Sequence, residues 1–383
     1  MIIKNGLVFG EDCKFAPGEV RISGEYFAEN AEASDTQEVV DAEGCYVIPG
    51  LTDIHVHGCH NKDFCDADID AIGDFASYEA SKGITAICPT TMTIAQERLL
   101  HIAEVAGEYC DLTLQHKRNA DTEAIFAGIN MEGPFISAKK KGSQEASDIR
   151  KPDINFIRSM QEKSGNRVAL VDIAPEIEGT EELIQTLKNE IVISIAHTNA
   201  DYDTTLHAMQ LGAHHVTHLY NAMSPYDHRA PGVVGAASDD PESMVELICD
   251  GIHNHPAVVR NTFRIFGTDR VVLVSDSMRA TGMQDGTYEL GGHKVQVRGR
   301  RALLEDGTIA ASVTNLMDCM LTCVREMDIP LETAVKCAAV NPAVSIGKFQ
   351  QWGSISQGKY ANAVLLDQKT LTVKKVILRG KLI

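Results

Sequence analysis

The chain has 383 residues, room for one large barrel or about two or three average domains, and its 44% hydrophobic and 23% charged content is ordinary for a folded protein. A formal charge of −18 argues against a nucleic-acid or anionic-membrane surface, since both require a basic face, although one local pocket can oppose the global sign and admit a small anion. No apolar run reaches the length of a membrane span, and the opening MIIKNGLVFG lacks the basic and apolar regions of a signal peptide. The ten cysteines form no CxxC pair and no regular framework, so reduced thiols in the cytoplasm are expected.

Residues 1–49 contain short β-like pieces, MIIKNGLVF, GEVRISGEYF and CYVIPG, with turn residues between them. From residue 50 the pattern changes. The apolar runs GLTDIHVH, GITAICPTT, AIFAGINME, RVALVDIAP, IVISIAHT, AHHVTHL, MVELICDG and RVVLVSDS follow one another, most of them ending in polar residues. Between them DIDAIGDFASYEASK, EELIQTLKNE and HPAVVRNTFRIFG repeat apolar residues at helical spacing. Eight strands with intervening helices predict an α/β fold, a parallel (β/α)8 TIM-like barrel over residues 50–346. The segment GTYELGGHKVQVRGRRALLEDGTIA is expected to form an inserted hairpin with turns at Gly291-Gly292 and Asp306-Gly307. Residues 347–383 return to the β-like character of the start. Neither end has much core of its own, so 1–49 and 347–383 are expected to pair into one small β-sandwich domain beside the barrel.

The chemistry gathers at the strand ends, where barrels of this kind carry their catalytic residues. His55 and His57 stand two apart in DIHVH, and residues i and i+2 of a strand share a face. Glu132 ends the third run, His197 the fifth, His218 the sixth and Asp276 the eighth. Imidazoles with carboxylates suit Zn²⁺, Fe²⁺ or Mn²⁺. Six such residues exceed what one four-coordinate metal with an open position needs, and they suffice for two metals sharing a bridging carboxylate. His60, His214, His215 and His255 fit no such pattern and read as structural or solvated. A bound divalent metal brings the pKa of its water toward about 7 and polarises a carbonyl oxygen. Asp276 would then take the water's proton and pass it to a leaving amine. Metal-assisted amide hydrolysis or deamination is the reaction class. Behind His218, Asn221, Ala222 and Arg229 lie on one mouth loop and His253 on another, and an arginine with a histidine suits a phosphate or carboxylate.

The stretches GLTDIHVHG, MEGPFISAKKKGSQ, AHTNADYD, VTHLYNAMSP, DGIHNHP and SDSMRATGM resemble, in order, the motifs of the N-acetylglucosamine-6-phosphate deacetylase family of the amidohydrolase superfamily. The resemblance covers nearly the whole chain. It implies hydrolysis of the acetamido group of N-acetylglucosamine 6-phosphate, with Asp276 as the acid/base. It also implies one metal on Glu132, His197 and His218, and a second on His55 and His57 with Glu132 and Asp276. Substrate contacts are implied at Asn221, Ala222, Arg229 and His253, at Ser143 and Gln144, and on the loop containing Ala311, with part of the phosphate site supplied across a homodimer interface. Departures from the family pattern are Ala196 where a glycine is common, AASVTN at 310–315 where Gly-Ser is usual, and Asn362 where an aspartate is frequent. The competing reading is another amidohydrolase, a deaminase or cyclic amidase, acting on an unphosphorylated substrate.

Overall fold

The computed structural model describes residues 1–29 and 38–383. Eight parallel strands build a barrel: β1 (Leu51–Val56), β2 (Ile84–Thr91), β3 (Ile129–Phe135), β4 (Val168–Ile173), β5 (Val192–Ile195), β6 (His215–Val216), β7 (Met244–Ile248) and β8 (Val271–Val274). They pair in sequence order. The ring closes where Val56 bridges Ser277 in parallel and the His57 N–H donates to the Ser277 carbonyl at 2.8 Å. These strands read as near-continuous apolar runs because both faces are buried, one by helices and one by the barrel interior. Inside, Ile54, Cys88, Leu170, Ile248, Val272 and Val274 pack with Ile346 and Trp352 in one apolar cluster.

Several helices start where a polar side chain can take the unpaired N–H groups of a first turn. Asp68 accepts from the Ala71 N–H at 2.7 Å and begins Ile69–Ser81. Asp201 does the same for Tyr202–Leu211, and Asn315 for Leu316–Met327, which buries Cys319 and Cys323. His255 caps Pro256–Phe266 through its ring, a structural role for that histidine. All ten cysteines are free thiols.

The two ends of the chain meet in a single eight-stranded sheet. Ala363–Asp367 pairs antiparallel with Cys45–Pro49, which lies parallel to Ile2–Phe9. One face of this sheet presents Ile48, Val364, Val376 and Leu378 to the barrel core. The other gathers Ile3, Val20, Phe27, Val47, Leu365 and Ile377 into a core of its own, so the sheet curls over itself. The segment expected as a hairpin after β8 is a four-stranded antiparallel meander, Gly286–Leu290, His293–Arg298, Arg301–Leu303 and Ile309–Ala311. The Gly291-Gly292 and Asp306-Gly307 turns are both present, and a further turn at Gly299 adds the extra reversal.

Candidate active site and metal centre

The strand ends bring His55, His57, Glu132, His197, His218 and Asp276 together at one mouth. His55 lies in β1, His57 just past it and Glu132 within β3, while His197, His218 and Asp276 each stand two residues beyond β5, β6 and β8. Those last three have left-handed backbones, φ 43, 30 and 50°. A non-glycine residue held there costs on the order of 1–3 kcal/mol and persists only when its surroundings over-determine it. Here the surroundings do. The Asp276 N–H donates to the His55 carbonyl at 2.9 Å and its own carbonyl accepts from Ser312 at 2.8 Å. The His197 carbonyl accepts from Ser137 at 2.9 Å. The turn swings each side chain off the strand pleat and into the mouth.

Glu132 is the centre of the arrangement. Its Oε1 lies 3.0 Å from His197 Nε2 and 3.1 Å from His218 Nε2, and those two nitrogens are 3.2 Å apart. Its Oε2 lies 3.3 Å from His57 Nε2, which is 3.3 Å from Asp276 Oδ1. Two groups of ligand atoms result, His55/His57/Glu132 and Glu132/His197/His218, all buried and sharing the one glutamate. Tetrahedral ligands about 2.1 Å from a metal stand roughly 3.4 Å from each other, close to these spacings. His55 Nε2 supplies a second test of fit. It is buried, has no hydrogen-bond partner, and points between Glu132 Oε1 and Asp276 Oδ1 at 3.6 Å from each. A desolvated lone pair without a donor is costly, and a cation there resolves it.

The electrostatics agree. Burial works to raise the Glu132 carboxyl, yet contacts from His197, His218, His55 and His57 hold it well below the ordinary carboxylate range. Asp276 is also lowered, its burial outweighed by His57 and by the charge of His55. Burial works to lower His57, but Asp276 and Glu132 raise it to about 10. Two buried carboxylates demand positive charge nearby. Protons on the imidazoles can meet that demand, and a divalent cation meets it while displacing them.

A cavity of about 530 Å³ opens above these groups, lined by His57, Glu132, His197, His218 and Asp276, with Ser143, Asn221, Ala222 and His253. His253 is held by Asp250, its Nδ1 2.8 Å from Oδ2. Gly142 also lines it, at φ +56°, where a Cβ would come within 3.2 Å of His197 Cε1. Three residues expected at the substrate are not among those lining the cavity. Gln144 is 1% exposed and spent on the protein, with Oε1 accepting from the Thr93 N–H at 2.7 Å and Nε2 donating to Glu132 Oε2 at 2.6 Å. Ala311 is buried behind Ala310, which does line the cavity. Arg229 is exposed, on a loop that also exposes Tyr226 and His228, and is not among the lining residues. His60 stacks on Tyr78, His214 pairs with Asp240, and His215 bonds Ser194 inside the barrel, all apart from the mouth.

Sequence reasoning passed over Lys139 and Lys140, which line the cavity, and Glu246, whose Oε2 lies 2.9 Å from His55 Nδ1. Glu246 did carry a signal: a carboxylate in the middle of the apolar run MVELI must be paired or protonated.

Fold and site together define a metal-dependent barrel hydrolase, and residues 46–383 match the Amidohydrolase family, to which the chain belongs. Within it, the relative from Bacillus subtilis (strain 168) named N-acetylglucosamine-6-phosphate deacetylase is 34% identical over 96% of this chain and 90% of its own length. The Vibrio furnissii protein of that name is 33% identical over 88% of this chain and 82% of its own. Among solved structures, N-acetyl-D-glucosamine-6-phosphate deacetylase from Mycobacterium smegmatis, in complex with N-acetyl-D-glucosamine-6-phosphate, superposes with a TM-score of 0.90 at 30% identity. That match covers 100% of this chain and 98% of the other.

Proposed function

We propose that this chain removes the acetyl group of N-acetylglucosamine 6-phosphate, giving glucosamine 6-phosphate and acetate. The observation that carries the reading is Glu132 shared between two imidazole groups, with Asp276 Oδ1 3.3 Å from His57 Nε2 in the wall of the same cavity. Relatives over nearly the full chain bear the name of that activity. A divalent metal held by Glu132, His197 and His218, and a second held by His55 and His57 with Glu132 and Asp276, would activate water and polarise the acetamido carbonyl. Zn²⁺, Fe²⁺ and Mn²⁺ all suit these donors. Asp276 takes the proton of the attacking water on its carboxylate and returns it to the departing sugar amine. Ser143, Asn221, Ala222 and His253 orient the sugar from the cavity wall.

The phosphate is met by cations at the rim. Lys139, Lys140 and His253 line the cavity within one chain. Arg229, exposed beside Tyr226, is read as serving the site of a second copy in a homodimer. The small sheet formed by 1–49 and 347–383 is taken as one unit beside the barrel at 50–346. Among the described residues no helix is long and apolar enough to cross a membrane, and a cytoplasmic enzyme fits the thiol content. Acetate release from phosphorylated and plain N-acetyl sugars, with metal analysis of the same sample, tests the reading. Turnover confined to the 6-phosphate with bound metal is expected. Equal turnover of plain sugars, or deamination instead, would favour the unphosphorylated alternative.

A further inference from the structure

We propose that Glu246 is a positioning residue that ties the two halves of the metal site together and keeps His55 in its ligand form. Glu246 sits in β7, fully buried, facing the barrel interior. One oxygen, Oε2, has two partners: His55 Nδ1 at 2.9 Å and the His218 backbone N–H at 3.1 Å. Residues from the two ligand groups thus hang on a single atom. The other oxygen has no hydrogen-bond partner and lies 3.9 Å from His215 Nδ1, which bonds Ser194 instead. The bonding of this carboxylate is therefore directed at the metal ligands and not at the surrounding fold.

The consequence for His55 is chemical. A carboxylate only accepts, so Nδ1 carries a proton, and in the neutral imidazole that a metal requires Nε2 then keeps its lone pair. That lone pair is the orphaned one between Glu132 and Asp276. His57 and His197 are oriented by backbone carbonyls, of Thr90 at 3.2 Å and Lys140 at 2.9 Å. His55 is the ligand set by a carboxylate, and Glu246 supplies it. The second bond pins the backbone of His218, which holds a left-handed φ of 30°.

The proposal rests on the metal site read above, and its tests use no sugar, so failure here is separable from failure of the deacetylase reading. In zinc-loaded protein labelled with ¹⁵N-histidine, the His55 resonances, assigned by loss in His55→Asn, are expected to show Nδ1 protonated. A proton on Nε2 would overturn the proposal. Glu246→Leu removes the acceptor at similar volume, and one zinc equivalent is expected to bind about 10–100-fold more weakly in chelator competition. Glu246→Gln can place its carbonyl oxygen at the Oε2 position and is expected to restore most of that affinity. Wild-type zinc affinity in Glu246→Leu, or equal loss in both variants, would refute the role. If wild-type protein takes up no metal, the metal-site reading falls and this proposal with it.

Discussion

Glu79 gives a prediction that can be worked to a number. It lies in the helix Ile69–Ser81, fully buried between that helix and the barrel wall, and neither carboxylate oxygen has a hydrogen-bond partner. The Cys59 thiol and the charges of Asp53, Lys82 and Asp318 act on it. Desolvation, then repulsion from Asp53, raises its carboxyl from 4.5 to about 8. Below pH 4.5 the folded and unfolded chains both hold this proton, so it contributes no difference. Between 4.5 and 8 the unfolded chain has released it and the folded one has not, so stability falls by about 1.4 kcal/mol per pH unit and then levels off. The accumulated loss is about 3 kcal/mol at pH 7 and roughly 5 kcal/mol at pH 8 and above, as an upper bound. Glu79→Gln does not titrate, and its own burial cost is independent of pH. Urea unfolding of both proteins at pH 5.5, 7 and 8.5, at fixed metal concentration, should show the variant gaining on the wild type as pH rises. Metal loss is common to both proteins and cancels in the difference, whereas the repulsion from Asp53 is removed with the Glu79 charge and is part of the gap. A gap that stays constant across the three pH values refutes the argument.

Other consequences concern the site. Asp276→Asn is expected to bind substrate but lose turnover by about 10²–10⁴-fold, the usual worth of a positioned acid/base; near-normal kcat would remove Asp276 as the proton carrier. Gly133→Ala would place a Cβ 2.1 Å from Thr93 Oγ1 at φ +84°, next to Glu132. A loss of at least about 1–3 kcal/mol, read as a lower Tm, should come with fewer metal ions per chain by elemental analysis, and full metal content would separate Gly133 from the placement of Glu132. Arg229→Ala should lower kcat/KM for the phosphorylated sugar by more than about tenfold, the worth of a bond to a charged partner. Because Arg229 is exposed on its own chain, mixing this variant with Asp276→Asn should recover part of the activity if the arginine serves a second copy. Unchanged kcat/KM would end its assignment to phosphate.

The barrel and the gathering of its candidate ligands at one mouth were legible in the sequence for one physical reason. A strand buried on both faces must be apolar along its length, so the polar residue that ends it stands out, and topology sends all such ends to one mouth. His55, Glu132, His197, His218 and Asp276 were found that way. Direction was harder to read. MEGPFISAKKKGSQ put Gln144 near the substrate, but the course of the loop turns its amide onto Glu132 and leaves Lys139 and Lys140 along the cavity. VTHLYNAMSPYDHRAPG held Asn221 and Ala222 at the wall because they follow His218 within four residues. Arg229, eleven residues past His218, had run clear of the frame by then. The partners of Glu246 were illegible for the opposite reason. A carboxylate within an apolar run announces a partner, but the partner is His55 on the first strand and the His218 backbone on the sixth, which only the closed ring brings within reach. What sequence reads well here is the residue that meets substrate or metal; what it reads poorly is the residue that meets another residue across the barrel.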